Sequence, residues 1–280
     1  MSNLHTLHRL DGLGFAESLR WRGNELWFSD MFRGLVIAWN PDASSTVKLS
    51  QSDGGPEMPG GLGWMPDGDL LLVDCLKRLV LKLDRRGKLS TYADLSTLTD
   101  YPLNDMHVDA DGTAWVGGYG FDPETQAAVA SAIYQISPTG NISSSSAQFV
   151  FPNGCEKYGD SIAIAETFSD RISFINDENQ VVKTFECSSG SGPDGLSFDA
   201  QGRLYVAMAF KGQIEQFSLS GDSQLLYKLD PEVNYPGGPK GIFDCAVRSE
   251  NSTIAFSSAC LDEEYAKINN TSSITIATLH

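Results

Sequence analysis

The stretch Leu26–Asp30, LWFSD, is a short β-type run that ends in a small residue and an acidic one, and variants of it recur along the chain. Five further runs follow at comparable intervals: Leu70–Asp74, Ala114–Gly118, Ile162–Glu166, Leu204–Met208 and Ile254–Ser258. Successive runs start 44, 44, 48, 42 and 50 residues apart. This period is typical of one four-stranded blade of a β-propeller, so the six runs predict six blades.

Strands and turns of the expected chemistry surround each run. The run at Leu70 is preceded by the turn Met65–Asp69, which contains Pro-Asp-Gly, and is followed by the strand-like segments Leu79–Asp84 and Gly87–Tyr92. Such turns join neighbouring antiparallel strands. We therefore predict an all-β fold, a six-bladed β-propeller of four-stranded antiparallel blades that forms one domain over residues 1–280.

The two ends of the chain are both strand-like. These are the segments His5–Leu10, HTLHRL, and Ser273–Leu279, SITIATL. Because an open sheet edge invites unwanted pairing, we expect these two segments to share one blade and close the ring.

Composition excludes several partners and sites. The 36 acidic and 20 basic residues give a net charge of −16, which opposes binding to nucleic acid or to an anionic membrane surface. The five cysteines are scattered and form no C-x-x-C pair, so neither a disulfide framework nor a thiolate metal site is indicated. No signal-peptide core or membrane-length apolar run occurs, which favours a cytoplasmic protein. The oligomeric state cannot be read from the sequence.

The first strand of each propeller blade lines the central channel, so equivalent positions in the six blades form a ring. Counting back nine or ten residues from each run gives Glu17, Gly61, Asn104, Asn153, Asp194 and the pair Phe243/Asp244. Four of the first five carry oxygen donors. Each polar residue could instead serve only a local turn, since Pro-Asn-Gly and Pro-Asp-Gly are turn sequences.

Two carboxylates at one level of a narrow channel repel each other unless a cation lies between them. An all-oxygen set with two negative charges suits Ca²⁺, Mg²⁺ or Mn²⁺, and Ca²⁺ is our first choice. Zn²⁺ is less favoured because no His or Cys falls in these positions, although catalytic zinc accepts oxygen ligands.

Four ordered motifs extend this pattern over nearly the whole chain. They are Ala16–Trp21 with Leu26–Asp30, Asn104-Asp105 with Val108–Gly112, Pro152–Gly154 leading to Ala165–Thr167, and Pro193–Leu196 leading to Tyr205–Ala207. Together they resemble the signatures of the SMP-30/gluconolactonase/LRE-like family, which includes regucalcin and bacterial sugar lactonases.

The resemblance implies one divalent cation held by Glu17, Asn153 and Asp194. It also implies that Asn104 contacts the substrate or a water on the metal, and that Asp194 serves as general base. The substrate expected from the resemblance is a small-molecule lactone or ester.

Two positions depart from the family pattern. Pro102 stands where sugar lactonases commonly carry an Arg, and Ser18-Leu19 replaces the Gly-Pro that follows the first Glu. The metal positions are intact, whereas the sugar-recognition position is not, so the identity of the lactone stays open.

The chemistry we expect is metal-assisted hydrolysis of a lactone or related ester, in which a cation polarises the carbonyl and activates water. Asp194 is the candidate base, and Asn104 orients the carbonyl or stabilises the oxyanion. Tyr119 and Phe121 follow the third run and are expected to bind substrate at the channel mouth. The insertion 122–130 either covers that mouth as a lid or is an exposed hairpin without a function.

Other function classes remain open. A metal site of this kind also suits a dehydratase, an isomerase or a phosphoester or phosphofluoridate hydrolase, and a propeller can serve as a calcium-binding protein or interaction platform. A Ser-His-Asp hydrolase is not favoured, because the chain has no G-x-S-x-G and His107 is its only histidine away from the termini. His107 alternates with apolar neighbours, and we interpret it as a packed strand residue.

Overall fold

The computed structural model describes residues 4–230, 233 and 235–279, and most of them lie in six four-stranded antiparallel sheets. The first strand, β1 (His5–Leu13), belongs to the last sheet. The first three sheets, blades 1 to 3, are β2 (Ala16–Arg22), β3 (Glu25–Asp30), β4 (Leu35–Trp39) and β5 (Ser45–Ser50); β6 (Pro59–Trp64), β7 (Leu70–Asp74), β8 (Leu79–Leu83) and β9 (Leu89–Asp94); and β10 (Leu103–Val108), β11 (Ala114–Gly118), β13 (Tyr134–Ile136) and β14 (Ile142–Ser144).

Blades 4 to 6 repeat the same order. They are β16 (Pro152–Tyr158), β17 (Ser161–Glu166), β18 (Arg171–Ile175) and β19 (Val181–Glu186); β20 (Pro193–Phe198), β21 (Leu204–Met208), β22 (Gln213–Phe217) and β23 (Ser223–Lys228); and β24 (Lys240–Arg248), β25 (Thr253–Cys260), β26 (Ser272–Thr278) and β1. The first strand of each blade contacts that of the next, and β24 contacts β2, so the six blades form a closed ring. The predicted six-bladed β-propeller is confirmed.

The ring is closed as the sequence predicts. Strand β1 pairs antiparallel with β26, with His5 opposite Thr278 and Leu10 opposite Ile274. The outer strand of blade 6 therefore comes from the beginning of the chain, and it covers the edge of the C-terminal strand β26.

Few elements lie outside the blades. A two-stranded ribbon pairs β12 (Ala130–Ser131) with β15 (Phe149–Val150), and one short helix, α1 (Glu263–Asn269), connects β25 to β26. Single 3-10 turns occupy Met31–Arg33, Gln51–Asp53, Ala209–Lys211 and Ser249–Asn251. No helix in the described part of the chain is both long and apolar enough to cross a membrane. All five cysteines are free.

A β-bulge interrupts the pairing of the first and second strands at the same place in every blade. In each blade one residue of the first strand pairs with the last residue of the sequence run, as Pro152 pairs with Glu166. The next residue in each blade is Glu17, Gly60, Asn104, Asn153, Asp194 and Phe243, and we call these six positions the upper ring.

The upper ring corrects one of the predicted positions and resolves another. Gly60, not Gly61, is the equivalent residue of blade 2, and Phe243 rather than Asp244 is that of blade 6. The spacing count misses this because the hairpin between the first two strands differs in length between blades, as the closing pairs Arg22–Glu25 of blade 1 and Trp64–Leu70 of blade 2 show. Gly60 cannot be replaced by a donor, since a Cβ there would meet the carbonyl oxygen of Asn104 and the sulfur of Cys75.

Candidate active site at the channel mouth

The upper ring opens into a cavity of about 540 Å³ at one end of the central channel. The side chains of Glu17, Asn104, Asn153 and Asp194 all line this cavity. The structure therefore brings together four residues that lie far apart in the sequence, as the ring argument expects. Their roles as ligands or catalytic groups stay predictions.

A chain of hydrogen bonds orients the two asparagines. The Asn104 Nδ2 donates to Asn153 Oδ1 at 2.7 Å, and the Asn153 Nδ2 donates to Thr167 Oγ1 at 3.2 Å. The Thr167 hydroxyl in turn donates to the backbone carbonyl of Pro193 at 2.9 Å. Because the hydroxyl proton is used on Pro193, Thr167 accepts from Asn153, and this direction holds the Asn153 carbonyl oxygen towards Asn104.

Thr167 was not identified from the sequence. It directly follows the fourth run, so it stands beside the upper ring where the second strand of blade 4 ends. Its position directly after a run is the sequence signal that could have identified Thr167 as a site residue.

The two carboxylates of the upper ring are short of positive partners. Asp194 is only 5% exposed, and its Oδ1 is one of the few buried side-chain oxygens in the described residues without a hydrogen-bond partner. Burial, and then the negative charge of Asp244, raise the pKa of Asp194 well above its ordinary value. Burial and the charge of Asp194 do the same to the pKa of Glu17.

These observations fit a hard divalent cation. Two carboxylates and the Asn153 carbonyl oxygen form an all-oxygen donor set, and the unpartnered Asp194 oxygen is available for a ligand bond. No three His, Cys, Asp or Glu side chains come together as a metal-binding group in the described ranges. A cation in this cavity therefore depends on the neutral Asn153 as its third protein ligand.

A second acidic pair lies one residue further into the channel and is compensated. Arg20 Nη2 contacts both oxygens of Asp105, at 3.0 and 2.9 Å, while Arg20 Nη1 lies 3.7 Å from Asp244 Oδ2. Ser18 Oγ also donates to Asp105 at 2.9 Å. The positive charge of Arg20 thus serves Asp105 and Asp244, so Glu17 and Asp194 of the upper ring are left without a cationic side chain.

The opposite end of the channel holds a separate cavity of about 320 Å³, lined among others by Arg20, His107, Glu156 and Ser197. Burial, and then the charge of Arg20, lower the pKa of His107 to about 4, so this histidine is neutral at physiological pH. Burial raises the pKa of Glu156 to about 7. No prediction from the sequence placed a polar group here.

Tyr119 and Phe121 both lie where the sequence places them, at the wall of the 540 Å³ cavity. The Tyr119 ring packs 4.5 Å from that of Phe151. Phe121 is 1% exposed, because its ring is covered by the neighbouring rings of Phe151 and Phe168. It therefore supports the wall more than it faces a ligand.

The insertion 122–130 begins at the cavity rim, where Asp122, Pro123 and Glu124 line the opening. Gln126 ties it down by accepting hydrogen bonds from the backbone N–H of Asp122 at 3.0 Å and from the Tyr101 hydroxyl at 3.1 Å. The beginning of the insertion is thus part of the cavity wall. Its action as a moving lid stays a prediction.

The fold and the upper ring define a six-bladed β-propeller with an oxygen-rich pocket at its channel mouth. Residues 15–234 match the family model described as SMP-30/Gluconolactonase/LRE-like region. The chain belongs to this family, which confirms the resemblance found in the motifs.

Solved structures of the same fold extend over almost the whole chain. A luciferin-regenerating enzyme is 15% identical, with a TM-score of 0.76 over 96% of this chain and 93% of that one. A calcium-binding protein, regucalcin from Agrobacterium tumefaciens, is 17% identical, with a TM-score of 0.73 over 98% and 96%. A gluconolactonase from Xanthomonas campestris is 17% identical, with a TM-score of 0.70 over 98% and 89%. No curated protein matches the sequence.

Proposed function

We propose that this protein is a divalent-metal-dependent hydrolase that opens a lactone or a related carboxylic ester. The observation that carries the proposal is the pair of carboxylates formed by buried Asp194 and partly buried Glu17, which share one cavity with Asn153 and have no cationic side chain of their own. Family membership supports the same chemistry. The names of two similar structures, a gluconolactonase and a calcium-binding regucalcin, point in the same direction.

In this proposal Glu17, Asn153 and Asp194 hold one divalent cation, with Ca²⁺ as the first choice. The bound cation supplies a Lewis acid that polarises the ester carbonyl and makes water easier to deprotonate. The Asp194 oxygen that does not bind the cation accepts the proton from water. The water oxygen then bonds to the carbonyl carbon, the ring C–O bond breaks, the departing oxygen takes a proton, and the product is a hydroxy acid.

Asn104 is the proposed positioning group for the substrate carbonyl. One N–H of its amide is used on Asn153, and a carboxamide has a second N–H to donate. Its side chain is partly exposed in the cavity, so this second N–H can reach the carbonyl oxygen as negative charge develops there. The hydrogen bond to Asn153 fixes the plane of the amide, which makes the donor preorganised.

The proposal is tested by measuring acid release from a panel of γ- and δ-lactones with the Ca²⁺-loaded protein. We expect turnover that EDTA abolishes and Ca²⁺ restores. Asp194→Asn keeps the size of the side chain but removes its charge, so both the affinity for Ca²⁺, measured by calorimetry, and kcat are expected to fall at least 100-fold. Asp160→Asn, at an exposed turn, is the matched control and leaves both unchanged.

The absence of metal-dependent turnover on every lactone would contradict the proposal. Calorimetry then tests the metal site by itself, because a calcium-binding platform and a metal-dependent enzyme of another class both still bind Ca²⁺ and lose this binding in Asp194→Asn.

A further inference from the structure

The wall of the 540 Å³ cavity is strongly aromatic. Seven phenylalanines and two tyrosines line it, and the phenylalanines are half of the 14 in the whole chain. None of the lining residues is Lys, Arg or His. A pocket with this composition favours flat apolar groups and offers no cation to an anionic one.

The rings form two clusters on the wall. Phe15 packs against Phe32 at 4.8 Å and against Phe243 at 4.6 Å between ring centroids. The other cluster is continuous from Tyr119 through Phe151, Phe168 and Phe210, at centroid distances of 4.5, 5.2 and 5.7 Å. The last two rings are 41% and 43% exposed, so the aromatic surface extends to the opening of the cavity.

The backbone at Phe151 indicates that one of these rings is held in place at a cost. Its φ of 57° lies in the left-handed region, and the following residue is Pro152, which further restricts the preceding backbone. Residues other than glycine adopt this conformation rarely, because the Cβ atom then approaches the backbone too closely. The surrounding rings of Tyr119, Phe121 and Phe168 retain it, and its own ring stays at the cavity wall.

The cavity has few neutral polar groups, and several of their donors and acceptors are used among themselves, which leaves the second N–H of Asn104 for the substrate carbonyl. Asn104, Asn153 and Thr167 are its only uncharged polar side chains besides the two tyrosines, and they bond mainly to each other. A polyhydroxylated ligand needs several free donors and acceptors at fixed positions, and leaves its own hydroxyl groups unpaired when they are missing.

The remaining polar groups of the cavity are acidic. Five carboxylates besides Glu17 and Asp194 line the opening: Asp122, Glu124, Asp262, Glu263 and Glu264. We call these five residues the acidic rim. Because a charge of the same sign is repelled, the acidic rim disfavours carboxylate or phosphate groups on an entering molecule.

We propose that the site takes an uncharged lactone or ester that carries an aromatic or bulky alkyl group, in preference to a polyhydroxylated or anionic sugar lactone. The inference rests on the proposed function for the reacting carbonyl, which lies at the upper ring. The aromatic wall then binds the apolar part, and Pro102, which lines the same cavity, adds apolar surface instead of a charge.

The first test compares kcat/KM of the Ca²⁺-loaded full-length protein on dihydrocoumarin, a neutral aromatic δ-lactone, and on glucono-δ-lactone. We expect dihydrocoumarin to be favoured at least 100-fold. Phe168→Ala is expected to raise KM for dihydrocoumarin about 10-fold through lost ring contacts, with little effect on glucono-δ-lactone. Val182→Ala, an exposed apolar position on β19, is the matched control.

The second test measures binding without turnover. The lactam analogue of dihydrocoumarin, 3,4-dihydro-2-quinolinone, resists hydrolysis and is titrated by calorimetry into the Ca²⁺-loaded protein and into Phe168→Ala. We expect a Kd about 10-fold higher for the variant. A carboxylate placed on the ring of the lactam is expected to weaken binding at least 10-fold, and the double substitution Glu263→Gln with Glu264→Gln is expected to reduce this penalty.

The two proposals fail in different ways. Efficient turnover of glucono-δ-lactone, together with no binding of the aromatic lactam, overturns the aromatic preference and leaves the lactonase proposal standing. Lactam binding that Phe168→Ala weakens, without turnover of any lactone, supports the aromatic preference and overturns the lactonase proposal.

Discussion

Ser18, next to Glu17 of the upper ring, adopts a backbone conformation that is usually left to glycine. Its φ is 55°, at the bulge of blade 1. Its hydroxyl donates to Asp105 Oδ1 at 2.9 Å and accepts from the backbone N–H of Leu62 at 2.7 Å. These two buried hydrogen bonds offset the cost of the left-handed backbone, which explains how the chain departs from the family's Gly at this position without losing the site.

We predict that Ser18→Ala destabilises the fold more than Ser18→Gly. Both variants lose the hydroxyl and leave the Leu62 N–H without its partner, which costs about 1–3 kcal/mol. The alanine keeps the strained φ, whereas glycine relieves it by about 1 kcal/mol. Urea unfolding of the three proteins measures the difference, and an alanine variant as stable as the glycine variant would contradict the balance described here.

At the scale of the elements, the junction between the inner strands β16 and β20 contains a group that titrates near neutrality. Glu156 of β16 accepts a hydrogen bond from the backbone N–H of Phe198 of β20 at 3.0 Å, and burial raises its pKa to about 7. A carboxyl whose pKa is higher in the folded state than in the unfolded state favours folding in its protonated form. Its contribution is complete below the unfolded pKa and is lost as the pH rises towards 7.

We therefore predict that Glu156→Gln is more stable than the parent protein at pH 8 and about equally stable at pH 4.5. Glutamine stays neutral and has nearly the same size, so it avoids the cost of an ionised side chain at this junction. The gain at pH 8 is expected to be about 2 kcal/mol. Chemical unfolding between pH 4.5 and 8.5 measures it; a gap between the two proteins that does not change with pH would refute the prediction.

The strands themselves could be predicted well from the sequence, whereas the register at the channel could not. The six runs end opposite the residue that precedes each upper-ring position, so their period located every blade. The hairpin between the first two strands differs in length between blades, and for this reason the count gave Gly61 where the structure has Gly60.

The aromatic wall is a second feature that was not predicted, although its residues follow a pattern in the sequence. Phe32, Phe168 and Phe210 each lie two residues beyond the end of a run, which places all three at the same end of the propeller. Tyr119 and Phe121, one and three residues beyond the third run, were predicted at the mouth from blade 3 alone. The pattern becomes clear only when loops of different blades are superposed, because each loop taken separately reads as an ordinary turn.

At the scale of the whole molecule, Arg20 joins three blades across the channel. It lies on blade 1, contacts Asp105 of blade 3 and approaches Asp244 of blade 6. Asp244 is 1% exposed, and its oxygens also accept from the backbone N–H groups of Leu19 and Cys245. A buried charge network of this kind ties distant parts of the ring together.

We predict that Arg20→Met destabilises the propeller by about 3–5 kcal/mol at pH 8, because it leaves two buried carboxylates unpaired. The pKa of Asp244 is already raised to about 7, with burial as the main cause, and Arg20 is the group that holds it down. Removing Arg20 therefore shifts the Asp244 carboxyl towards its neutral form, and the loss of stability is expected to be smaller at pH 5. Thermal and urea unfolding at both pH values test this prediction. A loss of stability as large at pH 5 as at pH 8 would contradict it.

The acidic rim affects the entry of substrate and the release of product differently. Under the proposed function, a neutral lactone enters and a hydroxy acid, ionised at neutral pH, is formed below the five carboxylates. The acidic rim then repels the anionic product outwards and opposes its return, whereas it does not repel the neutral substrate. Added salt weakens such repulsion over distances of about 10 Å, so product inhibition becomes stronger as ionic strength rises.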